Sequence, residues 1–335
     1  MSRDLAIDLG TANTLIYASG RGIVLNEPTV IAVNQENRHV LAMGHEAFRM
    51  IGRTPGYIVA ERPLRRGAIS DFDITERYIR LLMEKVGVRK RMARVRVLIC
   101  IPSAITEVER RAVQEAAIAA GARSAYLIEE PIAAAIGAGL PIQEPTGNLI
   151  VDVGGGTSEV GVLSMGGVVV NKSIRVGGFD IDDAIARHIR REYGIVVGER
   201  TAEQIKIAIG SAFPLPAEEK AEIRGRDLAT GLPKMVQISS EEIRTAIAEP
   251  VTQTVQAVVA ALAETPPELS QDILARGIAL TGGSSLLRGF QVRIAEECDV
   301  PVHLTDRPLE CVAYGAGKCL ETLSLLKDLF VSSTH

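Results

Sequence analysis

The apolar positions of this chain fall into two kinds of run. Short blocks rich in Val, Ile and Leu, bounded by Gly, Pro, Asn or Asp, read as strands at Leu5–Leu9, Thr14–Tyr17, Gly22–Leu25, Pro28–Val33, Val95–Ile101, Ala125–Ile128, Asn148–Val151, Glu159–Leu163, Val168–Ile174, Ile278–Thr281 and Pro301–Leu304. Between them, apolar residues three and four apart predict helices: one following Asp73 and ending near Gly87, Thr106 to about Gly121, an Ala-rich helix opened by Pro131, Asp180–Tyr193, a helix carrying Lys206, a long one from Ser239 to about Glu264, and Glu310 to about Leu326. Thr106 with Glu109, and Thr201 with Gln204, have the spacing of capping boxes. The alternation of strand and helix is that of an α/β protein. Residues 34–67 and 213–239 break the rhythm, being polar, proline-containing and irregular, and are expected to be small insertions.

Two of the strand blocks lead into the same device. Asp8-Leu9-Gly10-Thr11 and Asp152-Val153-Gly154-Gly155-Gly156-Thr157 both read as apolar strand, Asp, glycine turn with Thr, apolar strand, so each predicts a β-hairpin. Glycines let backbone N–H groups close on an anion with no Cβ in the way, and a carboxylate at the strand end can hold the water shell of a phosphate-bound Mg²⁺. One such loop is only a turn signal. Two facing hairpins could grip a polyphosphate from both sides, with Thr11, Ala12, Asn13, Gly155, Gly156 and Thr157 presenting N–H groups to phosphate and Asp8 and Asp152 orienting Mg²⁺ through water. Gly282-Gly283-Ser284-Ser285, between a strand and an expected helix, adds a further nucleotide-contact candidate, and would serve equally as a plain strand-to-helix connection.

Composition narrows the classes. The 335 residues suffice for two domains, and 47% hydrophobic with 23% charged residues is ordinary for a globular protein. A net charge of −4 gives no basic footprint for nucleic acid. The four cysteines show no CxxC spacing and the five histidines form no ligand pair, so reduced thiols in a cytosolic protein are expected. The N-terminus enters a strand without signal-peptide architecture, and no apolar run reaches the roughly 18 residues needed to span a bilayer. The cluster Arg62, Arg65 and Arg66 reads as a solvated or contact face. Arg89 to Arg94 is a basic loop, read as solvated, with a contact to anionic lipid as the sharper alternative. His188 reads as a packing residue on its helix.

In order, Asp8-Leu9-Gly10-Thr11, Glu130 before a Pro-opened helix, Asp152 to Thr157, Glu203-x-x-Lys206 and Thr281-Gly282-Gly283 resemble the actin / sugar-kinase / heat-shock-chaperone ATPase superfamily. The wording at Ile7–Thr14, Asn26-Glu27-Pro28, Glu129–Gly137 and Gly198–Glu203 is similar to the MreB family of bacterial actins, over about residues 3 to 327. The resemblance implies an actin-like ATPase fold: two α/β domains, each with a smaller inserted subdomain, and ATP (or ADP) with Mg²⁺ in the central cleft. It divides the chain into 1–33, 68–145 and 310–335 (subdomain IA), 34–67 (IB), 146–195 and 240–309 (IIA) and 196–239 (IIB). It further implies that Glu130 positions the attacking water with help from Thr157, that Glu203 and Lys206 sit at ribose and adenine, and that Gly282 to Ser285 contact the adenosine. The chain departs from the family pattern at Phe179, where Asp is usual after Gly177-Gly178, at Ser284, where a third glycine is usual, and in lacking two adjacent bulky apolar residues in the basic loop.

The implied function is a weak Mg-dependent ATPase that assembles into paired homopolymeric protofilaments on the inner face of the plasma membrane. There it would help set rod shape together with cell-elongation and wall-synthesis proteins. Taken alone, Glu130 could equally be a carboxylate favoured at a helix start by the helix dipole, and Glu203 with Lys206 a surface ion pair. A small-molecule kinase of the same superfamily would carry a catalytic Asp facing a sugar pocket, and no such signature is present. A chaperone-type ATPase would need a peptide-binding domain beyond the last core helix. A nucleotide-fixed scaffold without turnover, or a filament positioning DNA or an organelle, are the other readings.

Overall fold

Two five-stranded mixed sheets with the same topology carry the fold, in a computed structural model that describes residues 4–88 and 95–321. In the first, the meander Gly22–Pro28, Asn13–Ala18, Leu5–Leu9 continues through the parallel strands Arg96–Ile101 and Ser124–Glu129. In the second, Gly167–Ile174, Ser158–Ser164, Asn148–Val153 continue through the parallel Ile278–Thr281 and Val302–Leu304. The central strands are buried almost throughout, which is why they read as continuous apolar runs and not as alternations. The repeat of one loop device in the sequence is thus a repeat of a whole sheet.

Each sheet has its own core. The first is packed by Phe72–Lys85 and Glu107–Ala119, the second by Gly178–Tyr193, Ala248–Glu264 and Phe290–Cys298. A third cluster lies between them, joining Ile150 and Leu163 of the second sheet to the helices Glu130–Gly137 and Cys311–Glu321. Those two helices meet at glycines: a Cβ on Gly137 would fall 1.9 Å from the Cys311 carbonyl oxygen, and one on Gly315 would fall 1.8 Å from that of Ala133. These two glycines therefore form the contact that fixes the junction between the halves.

The insertions are more ordered than their composition suggests. Ile31–Asn34 pairs with Val40–Met43 and Ile58–Glu61 around a small core of Val30, Ala32, Ala42 and Ala47. Lys220–Asp227 and Pro233–Ser239 form a hairpin paired to Ile195–Val196. Apart from Gly225, which lies within Lys220–Asp227, their prolines and glycines lie at strand ends and turns, which makes the short strands read as loop.

Two helix boundaries also differ from expectation. The helix carrying Lys206 begins at Glu199 with Gly198 as cap, and the Thr201 amide already donates to the Gly198 carbonyl, so Thr201 with Gln204 caps nothing. The long helix from Ser239 is two, Ser240–Ala246 and Ala248–Glu264, bent by 60°. Pro250 supplies the reason, since its ring cannot sit against the carbonyl four residues earlier in a continuous helix. The Thr106 capping box is formed as expected. His188 also departs from a pure packing role: its Nε2 lies 2.8 Å from Glu242 Oε1, although the residue remains half-buried. Among the described residues no single helix is long and apolar enough to cross a membrane. The basic loop at 89–94 and the last residues, from 322 on, lie outside the described residues.

Candidate functional site: a cleft between paired hairpins

The two hairpin loops face one another and touch. A Cβ on Gly155 would come within 2.6 Å of the Ala12 Cβ, and one on Gly156 within 2.7 Å of the Thr11 hydroxyl. Only glycine allows this approach. Each loop closes a register that ends at Leu9–Thr14 or Val153–Ser158. The first is braced from beneath: Thr29 donates its hydroxyl to the Gly10 carbonyl at 2.6 Å and its amide to the Ala12 carbonyl at 2.9 Å, and the Tyr78 hydroxyl reaches Thr14 at 3.2 Å. In the second, the Gly154 amide donates to the Thr157 carbonyl at 2.9 Å.

The loops enclose a chamber of about 100 Å³ lined by Asp8, Gly10 to Asn13, Glu130, Asp152, Gly154 to Thr157, Gly282 and Gly283. It adjoins a second chamber of about 320 Å³, lined by Phe179, Glu203, Lys206, Ile207, Gly210, Ser284, Leu287 and Arg288, and the two share Ala12, Asn13, Gly155, Gly283 and Leu309. The first is walled by glycine backbone and carboxylates, the second by aliphatic and aromatic surface with a few polar groups. A polyphosphate joined to a nucleoside has this division of chemistry.

Nearly every site residue expected from the sequence lines one of the two chambers. Ser285 does not: it is buried and its hydroxyl donates to the Gly282 carbonyl of its own turn at 2.5 Å. That turn is also a single 3₁₀ turn, Gly283–Leu286, and not the start of an α-helix. Lys206 pairs with Asp182 and not with Glu203: its ammonium donates to Asp182 Oδ2 at 3.0 Å and to the Gly178 carbonyl at 3.1 Å. Burial pushes Asp182 up to about 6, with Lys206 holding it down against that trend. Glu129 accepts from the Ser103 hydroxyl at 3.1 Å and lines neither chamber.

The electrostatics centre on four carboxyl groups. Burial raises Asp8 to about 7, reinforced by the charge of Asp152, and burial alone raises Asp152 to about 7. Burial, then the charges of Glu159, Asp152 and Asp8, hold Glu130 well above the usual carboxylate range. Glu159 had no signal in the sequence beyond its place in a strand. It pairs in register with Asp152, is buried, accepts from the Ser173 hydroxyl and the Ser103 amide, and is raised by burial to about 7. Among the described residues none of Asp8, Glu130 and Asp152 is in an ion pair. Acids gathered this closely are a standing demand for a cation. No three His, Cys, Asp or Glu side chains among the described residues converge as a direct metal cage. The Asp8 and Asp152 pair instead fits an ion that keeps much of its hydration, as Mg²⁺ does.

Comparison with known proteins gives a consistent picture. The family model for MreB/Mbl protein matches residues 2–328. The cell shape-determining protein MreB of Escherichia coli K12 is 51% identical over 329 residues, covering 97% of this chain and 95% of that protein. The crystal structure of MreB5 of Spiroplasma citri bound to ADP superposes with a TM-score of 0.92 at 37% identity, covering 98% of both chains, and the AMPPNP-bound form of that protein gives 0.90. The MamK double helical filament shares the fold at 19% identity, with a TM-score of 0.81 over 96% of this chain and 99% of that one. The architecture is the actin-like ATPase fold.

Proposed function

The chain belongs to the MreB/Mbl family, and from that premise we propose that it is a bacterial actin that binds ATP with Mg²⁺ in the cleft, hydrolyses it slowly and assembles into filaments that guide cell-wall synthesis from the inner face of the membrane. The observation that carries the reading is the contact between two carboxylate-bearing glycine hairpins, one from each sheet, around a single chamber. The four-part division of the chain at the ranges given above belongs to the same proposal.

In this reading the amides of Thr11, Ala12, Asn13, Gly155, Gly156 and Thr157 hold the phosphates, and Asp8 and Asp152 hold Mg²⁺ through its waters. The ion would supply neutralisation of phosphate charge, the main requirement of phosphoryl transfer to water. Glu130 and Thr157 position the attacking water. Burial and the neighbouring carboxylates raise the Glu130 carboxyl, which makes its ionised form a stronger base toward that water. Glu203 and Lys206 flank the nucleoside, with Lys206 held in place by Asp182. The ADP and AMPPNP named for MreB5 support an adenine nucleotide here, and the filament named for MamK supports assembly of this fold.

Isothermal titration tests the binding half. ATP binding that weakens at least tenfold on chelating Mg²⁺ is expected. No heat with either Mg-ATP or ATP in chelator contradicts the assignment.

A further inference from the structure

The cluster Arg62, Arg65, Arg66 reads in the sequence as a solvated or contact face. In the structure Arg62 and Arg66 cross the mouth of the cleft. Arg62 follows the strand Ile58–Glu61 of the first insertion. Its guanidinium donates to Glu199, the first residue of the helix Glu199–Ile209 on the other side, and lies over the Phe179 ring at 4.3 Å from its centroid. The Arg62 side chain is only 13% exposed. Arg66 donates to Asp180 Oδ1 at 2.9 Å. Arg200 returns the contact from the second half, its guanidinium 5.1 Å from the centroid of Phe48 in the first insertion.

These contacts are joined to the nucleotide chambers by backbone. Phe179 lines the nucleoside chamber, and its amide donates to the Gly155 carbonyl of the second phosphate loop at 2.9 Å. On the opposite side the Gly67 amide donates to the Thr11 hydroxyl of the first phosphate loop at 3.1 Å, and the Arg66 Cα lies 3.0 Å from where a Gly156 Cβ would stand. Both ends of the bridge are therefore anchored on the loops that would hold phosphate. A stacked arginine that is also ion-paired and mostly removed from water is worth more than a surface salt bridge. One Arg62 Nη and one Arg200 Nη are buried without a hydrogen-bond partner, so the closed form also carries a desolvation cost that opening would relieve.

We propose that Arg62, stacked on Phe179 and paired with Glu199, is the latch that holds the cleft shut, and that nucleotide exchange requires it to open. The proposal rests on the reading that the cleft holds ATP. It makes Arg62 a positioning residue that touches no nucleotide and sets how fast nucleotide enters and leaves. Arg66 with Asp180 and Arg200 with Phe48 support the same closure.

The test is stopped-flow exchange of a fluorescent ATP analogue on the full chain with Mg²⁺, for the wild type, Arg62→Ala, Arg62→Lys and Glu199→Gln. The association and dissociation rates of Arg62→Ala should rise together by about tenfold, with the dissociation constant changing far less. Arg62→Lys, which keeps the charge and loses the planar stack, should fall between. Glu199→Gln, at a half-exposed helix start, guards against a folding defect and should accelerate exchange in the same sense. Unchanged rates, or a rise in dissociation alone, overturn the latch. Hydrogen–deuterium exchange on the nucleotide-free protein separates this result from a failure of the ATP assignment. Segments 58–67 and 199–209 should exchange faster in Arg62→Ala than in the wild type even if no nucleotide binds, and equal protection there overturns the latch on its own.

Discussion

The Ser284 hydroxyl donates to the Gly154 carbonyl at 2.8 Å, tying the turn beneath the nucleoside chamber to the second phosphate loop. The same carbonyl accepts the Gly178 amide at 3.0 Å, so Gly154 is where three segments of the second half meet. The hydroxyl at 284 acts on the loop through this bond.

Ser284→Ala should therefore cost about 1 kcal/mol of stability and raise the dissociation constant for Mg-ATP severalfold. Thermal unfolding and equilibrium titration check the two effects. A variant with full stability and full affinity would show that the bond positions nothing.

Gly282 has φ +87°, and a Cβ there would fall 2.3 Å from Asp152 Oδ1 and 2.4 Å from the Val153 carbonyl oxygen. Backbone strain and displacement of the carboxylate act together. Gly282→Ala should lower stability by about 2 kcal/mol or more and weaken Mg-ATP binding more than Ser284→Ala does. Denaturant titration with a parallel binding isotherm tests this.

Glu130 lies in the chamber beside the loops, and among the described residues it is paired with neither a base nor a hydrogen-bond donor. Glu130→Gln should reduce phosphate release by about a hundredfold while leaving ATP affinity within a few-fold of the wild type. Glu129→Gln, on a carboxylate held by Ser103, serves as the control and should leave turnover unchanged. Undiminished release in Glu130→Gln would remove this residue from the chemistry.

The acid cluster fixes a pH dependence. Asp8 and Asp152 titrate near 7 in the folded nucleotide-free protein and near 3.8 when unfolded. Between those values the folded state binds more protons than the unfolded one, so stability falls as pH rises through about 7 and the loss is complete above it. The melting temperature without nucleotide should be higher at about pH 6 than at about pH 8. Asp152→Asn removes one charge of the pair, so it should flatten this slope and stabilise the nucleotide-free protein at the higher pH while weakening Mg-ATP binding. A melting temperature that rises between those two pH values would contradict the electrostatic account.

The sequence carried the site further than the closure around it. Asp8 to Asn13 and Asp152 to Thr157 were legible because a tight turn between apolar strands demands glycine at known places, and the order of motifs supplied the fold. Lys206 lines the nucleoside chamber together with Glu203, but its ion-pair partner could not be read from spacing: Glu203 shares its helix face, while Asp182 comes from another helix. Arg62 and Glu199 lie 137 residues apart, and nothing periodic links them. Glu159 was hidden in the same way, since a carboxylate inside a strand reads as an outward-facing residue until the other sheet face is known to be covered.

The central claim is that nucleotide in this cleft drives assembly. The most direct test is sedimentation of the purified protein with Mg-ATP while phosphate release is followed, with and without anionic liposomes. Pelleting that depends on Mg-ATP, with phosphate released slowly as filaments form, is the predicted result. Protein that stays in the supernatant under every condition, and forms phosphate product only when a small acceptor is supplied and phosphorylated, would contradict the filament reading and favour a kinase.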